Sequence, residues 1–257
     1  MAYARVVKQA SYAGGFLLFL AIITGGFIVI ATSPTLRGPQ LAPTPSALFQ
    51  PIAVEQVDVV AHDGNADFIA RLRNPNTRAG VVMYPVTFVV VNERGEEIRR
   101  HVETTYLLPG SLQYAVALAV PVAPRQFSVR VEVPPEPSFT ELPETLELPV
   151  FGAFLRERGT RQVGNRAIEE QKGIVRNNGT FDFQRVQLTA LASDAQGRVV
   201  GVGKTFLGEL KVGEQREFTV QWPAPIQPTT KVVTLLSTNV FLEETIIRVI
   251  GDPSSLR

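Results

Sequence analysis

Catalysis needs nucleophiles, bases or metal ligands, and this chain spends few residues on any of them. It has no cysteine, which removes disulfides, thiolate metal sites and a cysteine nucleophile together. Its two histidines, His62 and His101, are too few for a histidine-rich metal centre within one chain. There is no Gly-x-Ser-x-Gly elbow, no phosphate-cradling Gly-x-x-x-x-Gly-Lys and no His-Glu-x-x-His. His101 stands beside Arg99, Arg100 and Glu103, the composition of a solvated strand face. Asp63-Gly64-Asn65-Ala66-Asp67 places oxygen donors at alternating positions, as calcium loops do, but lacks the distant glutamate of that motif. The same residues suit a tight hairpin, because Asn and Asp-Gly tolerate positive φ, and the hairpin is the reading adopted. Asn178-Gly179-Thr180 is formally a glycosylation acceptor, though a strand-end turn explains it equally. Trp222 closes the alternating run Phe218, Val220 and reads as a core or domain-edge residue. No catalytic residue, cofactor or metal is therefore expected, and the chain does not read as an enzyme.

Clustered charge remains. The stretch from Arg156 to Glu170 carries Arg156, Arg158, Arg161 and Arg166 among Glu157, Glu169 and Glu170. A guanidinium offers five planar donors that match carboxylate or phosphate groups. Such a stretch is commonly a solvated loop, yet loops on a rigid scaffold are where binding sites gather. These four arginines are the candidate partner-binding residues. The interspersed glutamates favour a protein partner over bare anionic lipid. A net charge of +1 argues against a general grip on nucleic acid.

What would carry such a site is announced first by the N-terminus. From Tyr12 to Thr32 there is no charged residue, and the uncharged stretch runs on from Lys8 to Arg37. Roughly 20 apolar residues in a helix cross a hydrocarbon core of about 30 Å. Either an uncleaved anchor or a cleaved signal peptide fits. The core is longer than the roughly 7 to 15 residues of a signal peptide, which favours the anchor. Arg5 and Lys8 precede the segment, and Arg37 is the single charge after it before Glu55. The positive-inside bias then leaves the short N-terminus in the cytoplasm and the rest of the chain outside. Ala10 and Gly14, then Ala21 and Gly25, have the small-xxx-small spacing of helix-packing faces, so Gly14, Ala21 and Gly25 offer a route to self-association in the membrane.

Beyond a proline-rich spacer (33–51) the apolar period becomes two. Phe127, Val129, Val131 and Val133 alternate with Ser128, Arg130 and Glu132, and Val186, Leu188, Ala190 and Ala192 share one face. Val232, Thr234 and Leu236 share another. Phe68, Ala70 and Leu72 alternate likewise, except that Ile69 breaks the polar side. This is the pattern of half-buried antiparallel strands. Turn chemistry stands at Asp63-Gly64, Arg94-Gly95, Pro109-Gly110, Gln196-Gly197 and Val212-Gly213. The two halves also match: Asn74 aligns with Asn177, Gly95 with Gly197 and Gly110 with Gly213, each about a hundred residues apart, the mark of an internal duplication.

The second half carries Val175–Gly179, a D-x-x-G-x-V-V over Asp194–Val200, and an L-x-x-G-E turn with its following strand over Leu210–Val220. In these motifs it resembles the FxLYD-type domain of bacterial envelope proteins. The first half, through Asn74-Pro75-Asn76, is similar to the water-stress and late-embryogenesis sandwich. These resemblances imply fibronectin-like sandwiches that are generally non-catalytic, and they name no ligand. The expected fold is mostly β: one N-terminal transmembrane α-helix followed by two tandem antiparallel β-sandwich domains of fibronectin/immunoglobulin type. The expected organisation is a cytoplasmic N-terminus (1–11), a transmembrane helix (12–32), the spacer (33–51), a first sandwich (52–135), a second proline-rich linker (136–149), a second sandwich (150–250) and a tail (251–257). The expected role is that of a membrane-anchored extracytoplasmic scaffold or binding protein, with an envelope protein as partner. The alternatives are a stress-protective envelope protein and an accessory to an envelope hydrolase.

Overall fold

The computed structural model describes residues 49–62, 64–122, 126–164, 166–222, 226 and 231–249. The expected transmembrane helix, with Gly14, Ala21 and Gly25, lies outside them. By its contacts the chain divides into Met1–Ala42 and Pro43–Arg257, and all that follows concerns the second unit.

That unit is mostly β, built of several antiparallel sheets, and its described residues contain no α-helix. In the first half β1 (Ala53–His62), β2 (Asn65–Arg73) and β5 (Leu112–Pro121) form one sheet in the order β1-β2-β5. The strands β3 (Ala79–Asn92), β4 (Glu97–Leu107) and β6 (Phe127–Glu132) form another in the order β4-β3-β6. In the second half β8 (Phe151–Val163), β9 (Arg166–Asn177) and β13 (Gln215–Trp222) are ordered β13-β9-β8. Their neighbours β11 (Val186–Ser193), β12 (Val199–Leu207) and β14 (Lys231–Ser237) are ordered β12-β11-β14. The short strands β10 (Phe181–Phe183) and β15 (Ile246–Val249) pair with each other.

Each half has its own apolar core, lined from two sheets. Phe68, Ala70 and Leu72 of β2 meet Val86, Phe88 and Val90 of β3 in the first. Val186, Leu188 and Ala190 of β11 meet Phe218, Val220 and Trp222 of β13 in the second. A third cluster joins the halves: Ile69 and Val116 pack with Leu191 and Val202, flanked by Val60, Tyr114 and Val199. This explains why Ile69 interrupts the alternation of its strand. One face of β2 serves its own core and the other meets the second half, so both faces are apolar.

The duplicated positions carry duplicated hydrogen bonds. Asn74 donates from Nδ2 to the carbonyls of Ala79 (2.7 Å) and Leu108 (2.9 Å), and its Oδ1 accepts from the amide of Asn76 (3.0 Å). Asn177 donates to the carbonyls of Phe181 (2.7 Å) and Leu210 (3.2 Å), and its Oδ1 accepts from the amide of Gly179 (3.0 Å). The hairpin turns match as well. Asn92 Oδ1 accepts from the amides of Arg94 and Glu96, and Asp194 Oδ1 from those of Gln196 and Arg198. The turn glycines Gly64, Gly95, Gly110, Gly197 and Gly213 all have positive φ, as the turn chemistry requires.

Two features depart from the sequence reading. The charged stretch from Arg156 to Glu170 is not a loop. It is the body of a hairpin in which β8 and β9 pair antiparallel from Phe151↔Asn177 to Val163↔Arg166, turning at Gly164. It corresponds to the shorter β1–β2 hairpin of the first half, lengthened rather than interrupted. The segment 136–149 is also more than a spacer. Its Phe139 is buried in the first core, β7 (Thr140–Glu141) pairs with β3, and Leu142 and Leu146 pack against the second core. The alternation that reveals a strand is hard to see in the charged stretch because most of β8 is solvated on both sides.

Candidate functional site

The four arginines lie on the β8–β9 hairpin, and the three whose side chains are described each face a glutamate. Arg156 Nη1 is 3.3 Å from Glu217 Oε1, Arg158 Nη2 is 2.5 Å from Glu169 Oε2, and Arg161 Nε is 2.5 Å from Glu170 Oε1. Arg166 belongs to the hairpin through its backbone, opposite Val163. In the Arg158 and Arg161 pairs the acid is the less exposed member, Glu169 at 16% and Glu170 at 11% of the side-chain surface, whereas Glu217 is more exposed than Arg156. Glu170 also accepts from Gln221 Nε2 at 2.9 Å. The hairpin thus presents a largely neutralised surface, and its exposed apolar side chains, Phe154, Leu155 and Val163, stand on β8. Behind it Trp222 is buried in the second core, with the Arg158 guanidinium 5.8 Å from its ring.

The other chemistry-bearing residues are structural in their surroundings. His101 is half-buried on β4, opposite Phe88 of β3. His62 and Asn65 close the β1–β2 hairpin. Asp67 is buried and accepts the amide of Ala119, a residue with φ 51°, at 2.7 Å. This bond holds a backbone conformation that a non-glycine residue adopts only when its surroundings impose it. His62 Nε2 stands 3.2 Å from Asp67 Oδ1, close enough for charge but not aligned as a hydrogen bond.

A site that sequence reasoning missed lies where the halves meet. A cleft of about 470 Å³ opens between β4 of the first half and the β10–β11 loop, β12 and the segment after β14 of the second. Its buried floor is hydroxylic. Ser237 Oγ accepts from the Tyr106 hydroxyl (2.9 Å) and from Gln113 Nε2 (3.1 Å). With both lone pairs occupied, its own O–H remains available as a donor. Burial pushes the Tyr106 phenol up to about 12, against the smaller opposing effect of its bonds with Ser237 and Gln113. Tyr106 is therefore a neutral donor at any ordinary pH.

The rim carries the charge. The Arg185 guanidinium lies over the Phe206 ring, 3.8 Å from its centroid, well inside cation–π range. Its loop is fixed by two bonds, Thr238 Oγ1 donating to the Arg185 carbonyl (2.6 Å) and the Gln184 amide donating to the Thr245 carbonyl (2.8 Å). Lys204 pairs across the halves with Glu103 at 3.1 Å. Glu244 completes the wall. Among the described residues neither Arg185 nor Glu244 has an oppositely charged side chain within ion-pair distance.

Phe206 is the one signal that could have been read in advance, an aromatic on the outward face of β12 beside Lys204. Its companions come from separated strands and could not have been grouped by spacing. The described residues contain no group of three or more histidines and carboxylates placed to hold a metal. No family model matches the chain, and no curated protein matches it.

Proposed function

We propose that this chain is a membrane-anchored extracytoplasmic binding protein, two tandem fibronectin-like β-sandwiches that serve as a non-catalytic member of an envelope assembly. The observation that carries the reading is the fusion of the two halves. Ile69, Val116, Leu191 and Val202 form a shared apolar cluster, and Tyr106–Ser237, Lys204–Glu103 and Asn239–Val82 contacts cross beside it. Independent beads on a string would leave those faces polar. A fused pair instead holds a cleft and a long hairpin in fixed relation, which is what presenting a composite binding surface requires. The anchor comes from the uncharged run Tyr12 to Thr32 and from the charge bias around it.

The test is cross-linking mass spectrometry on native membranes bearing the full-length tagged protein. The expected result is retention in the membrane after alkaline carbonate washing, with reproducible cross-links from Lys204, Lys211 or Lys231 to extracytoplasmic proteins. A soluble protein with a new N-terminus near Thr32, or no cross-link beyond its own chain, would overturn the reading.

A further inference from the structure

An exposed ion pair gains little over solvation, so opposite charges that line one cleft can each meet a ligand at small cost. Arg185 and Glu244 both line this cleft without pairing with each other. Phe183 pairs with Ile246 in the β10–β15 ladder, and the next bond along joins Gln184 to Thr245. Arg185 follows in the connection between β10 and β11, and Glu244 precedes Thr245 in a single 3-10 turn (Glu243–Thr245) ahead of β15. Instead of turning to Glu244, Arg185 is drawn over Phe206, with its loop pinned by Thr238. A guanidinium stacked by its face keeps its edge donors free for a planar bidentate acceptor. The cleft thus offers a fixed cation edge, a separate carboxylate, the Ser237 hydroxyl as donor, and an apolar wall of Phe206 and Leu242.

We propose that this cleft binds a short zwitterionic peptide, with its terminal carboxylate on Arg185, its terminal ammonium at Glu244 and an apolar side chain against Phe206 and Leu242. The volume of about 470 Å³ lies in the range of small-ligand pockets and accommodates a dipeptide. The proposal rests on the binding-protein reading and supplies its ligand class. A ligand of a single charge would leave either Arg185 or Glu244 facing it with the wrong sign, whereas a zwitterion satisfies both.

The test is calorimetric titration of the full-length protein in mild detergent with the dipeptide leucyl-leucine. Saturable binding is expected. Capping the amine (N-acetyl-leucyl-leucine) should weaken binding about tenfold or more in the wild type, and so should capping the carboxylate (leucyl-leucine amide), the loss expected for one charge-assisted hydrogen bond. In Glu244→Gln the penalty for the acetyl cap should vanish, and in Arg185→Gln the penalty for the amide should vanish. Both positions are exposed, so Glu244→Gln should keep the wild-type melting temperature, and Arg185→Gln should lower it by no more than about 4 °C through loss of the stack on Phe206. No binding at millimolar dipeptide, or cap penalties unchanged by the two variants, would overturn the proposal. Binding of phosphoethanolamine without the dipeptide would also overturn it, by assigning the cleft to a lipid headgroup. If cross-linked partners persist while the dipeptide fails, the peptide site is refuted and the binding-protein reading survives.

Discussion

The buried asparagine repeated in both halves gives the sharpest test of how this fold is held together. Asn177 is fully buried, and its side chain makes three hydrogen bonds that tie the end of β9 to β10 and to the turn before β13. Replacing it with alanine removes all three. At a net value of about 1 kcal/mol each the loss is about 3 kcal/mol, and the Gly179 amide left without its acceptor brings it to about 4. The Leu210 carbonyl keeps a second donor, the Phe183 amide at 3.1 Å, which limits the further cost there. For a protein of this size such a loss corresponds to a fall in Tm of roughly 8 to 15 °C. Asn177→Asp preserves the shape but turns a carboxylate oxygen toward two carbonyls, so it should cost at least as much as alanine. Urea unfolding followed by the fluorescence of Trp222, the sole tryptophan and a member of the second core, measures both variants. Asn74→Ala should cost a similar amount. Because the halves share an apolar cluster, the Trp222 signal should register that distant change with the same midpoint as far-ultraviolet circular dichroism. A loss under about 1 kcal/mol for Asn177→Ala, or a Trp222 midpoint indifferent to Asn74→Ala, would refute the argument.

Three further outcomes follow from the same geometry. Val202→Asp places a charge in the cluster between the halves and should lower stability by more than about 3 kcal/mol, with new protease cleavage between the halves while strand content persists. Tyr106 is held above its ordinary value, to about 12, so the neutral phenol contributes stability that is complete below pH about 10 and lost as pH rises through 12. The associated loss is roughly 2 to 3 kcal/mol, and Tyr106→Phe should remove that part of the alkaline decline in denaturant melts. On the hairpin, Arg158→Ala and Arg161→Ala strand carboxylates that are mostly buried and should each cost about 1 to 2 kcal/mol, whereas Arg156→Ala, on a fully solvated pair, should cost under about 0.5. If the hairpin is the partner contact, Arg156→Ala should also reduce recovery of cross-linked envelope partners without touching stability.

Much of the local architecture was legible in the sequence because local chemistry decides it. Arg94-Gly95 and Gln196-Gly197 mark turns because only glycine adopts positive φ without strain, and both glycines stand at φ 79°. The alternation of Val186, Leu188, Ala190 and Ala192 marks a strand because successive side chains point to opposite faces, and all four are buried in one core. The hundred-residue offset between Asn74 and Asn177 pointed to equivalent positions, and both make the same hydrogen bonds. Long-range pairing decided the rest. Ile69 looked like a flaw in an amphipathic strand, since one chain segment cannot reveal that a second half covers its outer face. The run of arginines looked like a loop, since Arg156, Arg158 and Arg161 are neutralised by glutamates that only strand pairing or sheet neighbours bring near. The cleft was invisible for the same reason. Arg185, Phe206, Ser237 and Glu244 lie on four separate segments, and only the packing of sheets makes them neighbours.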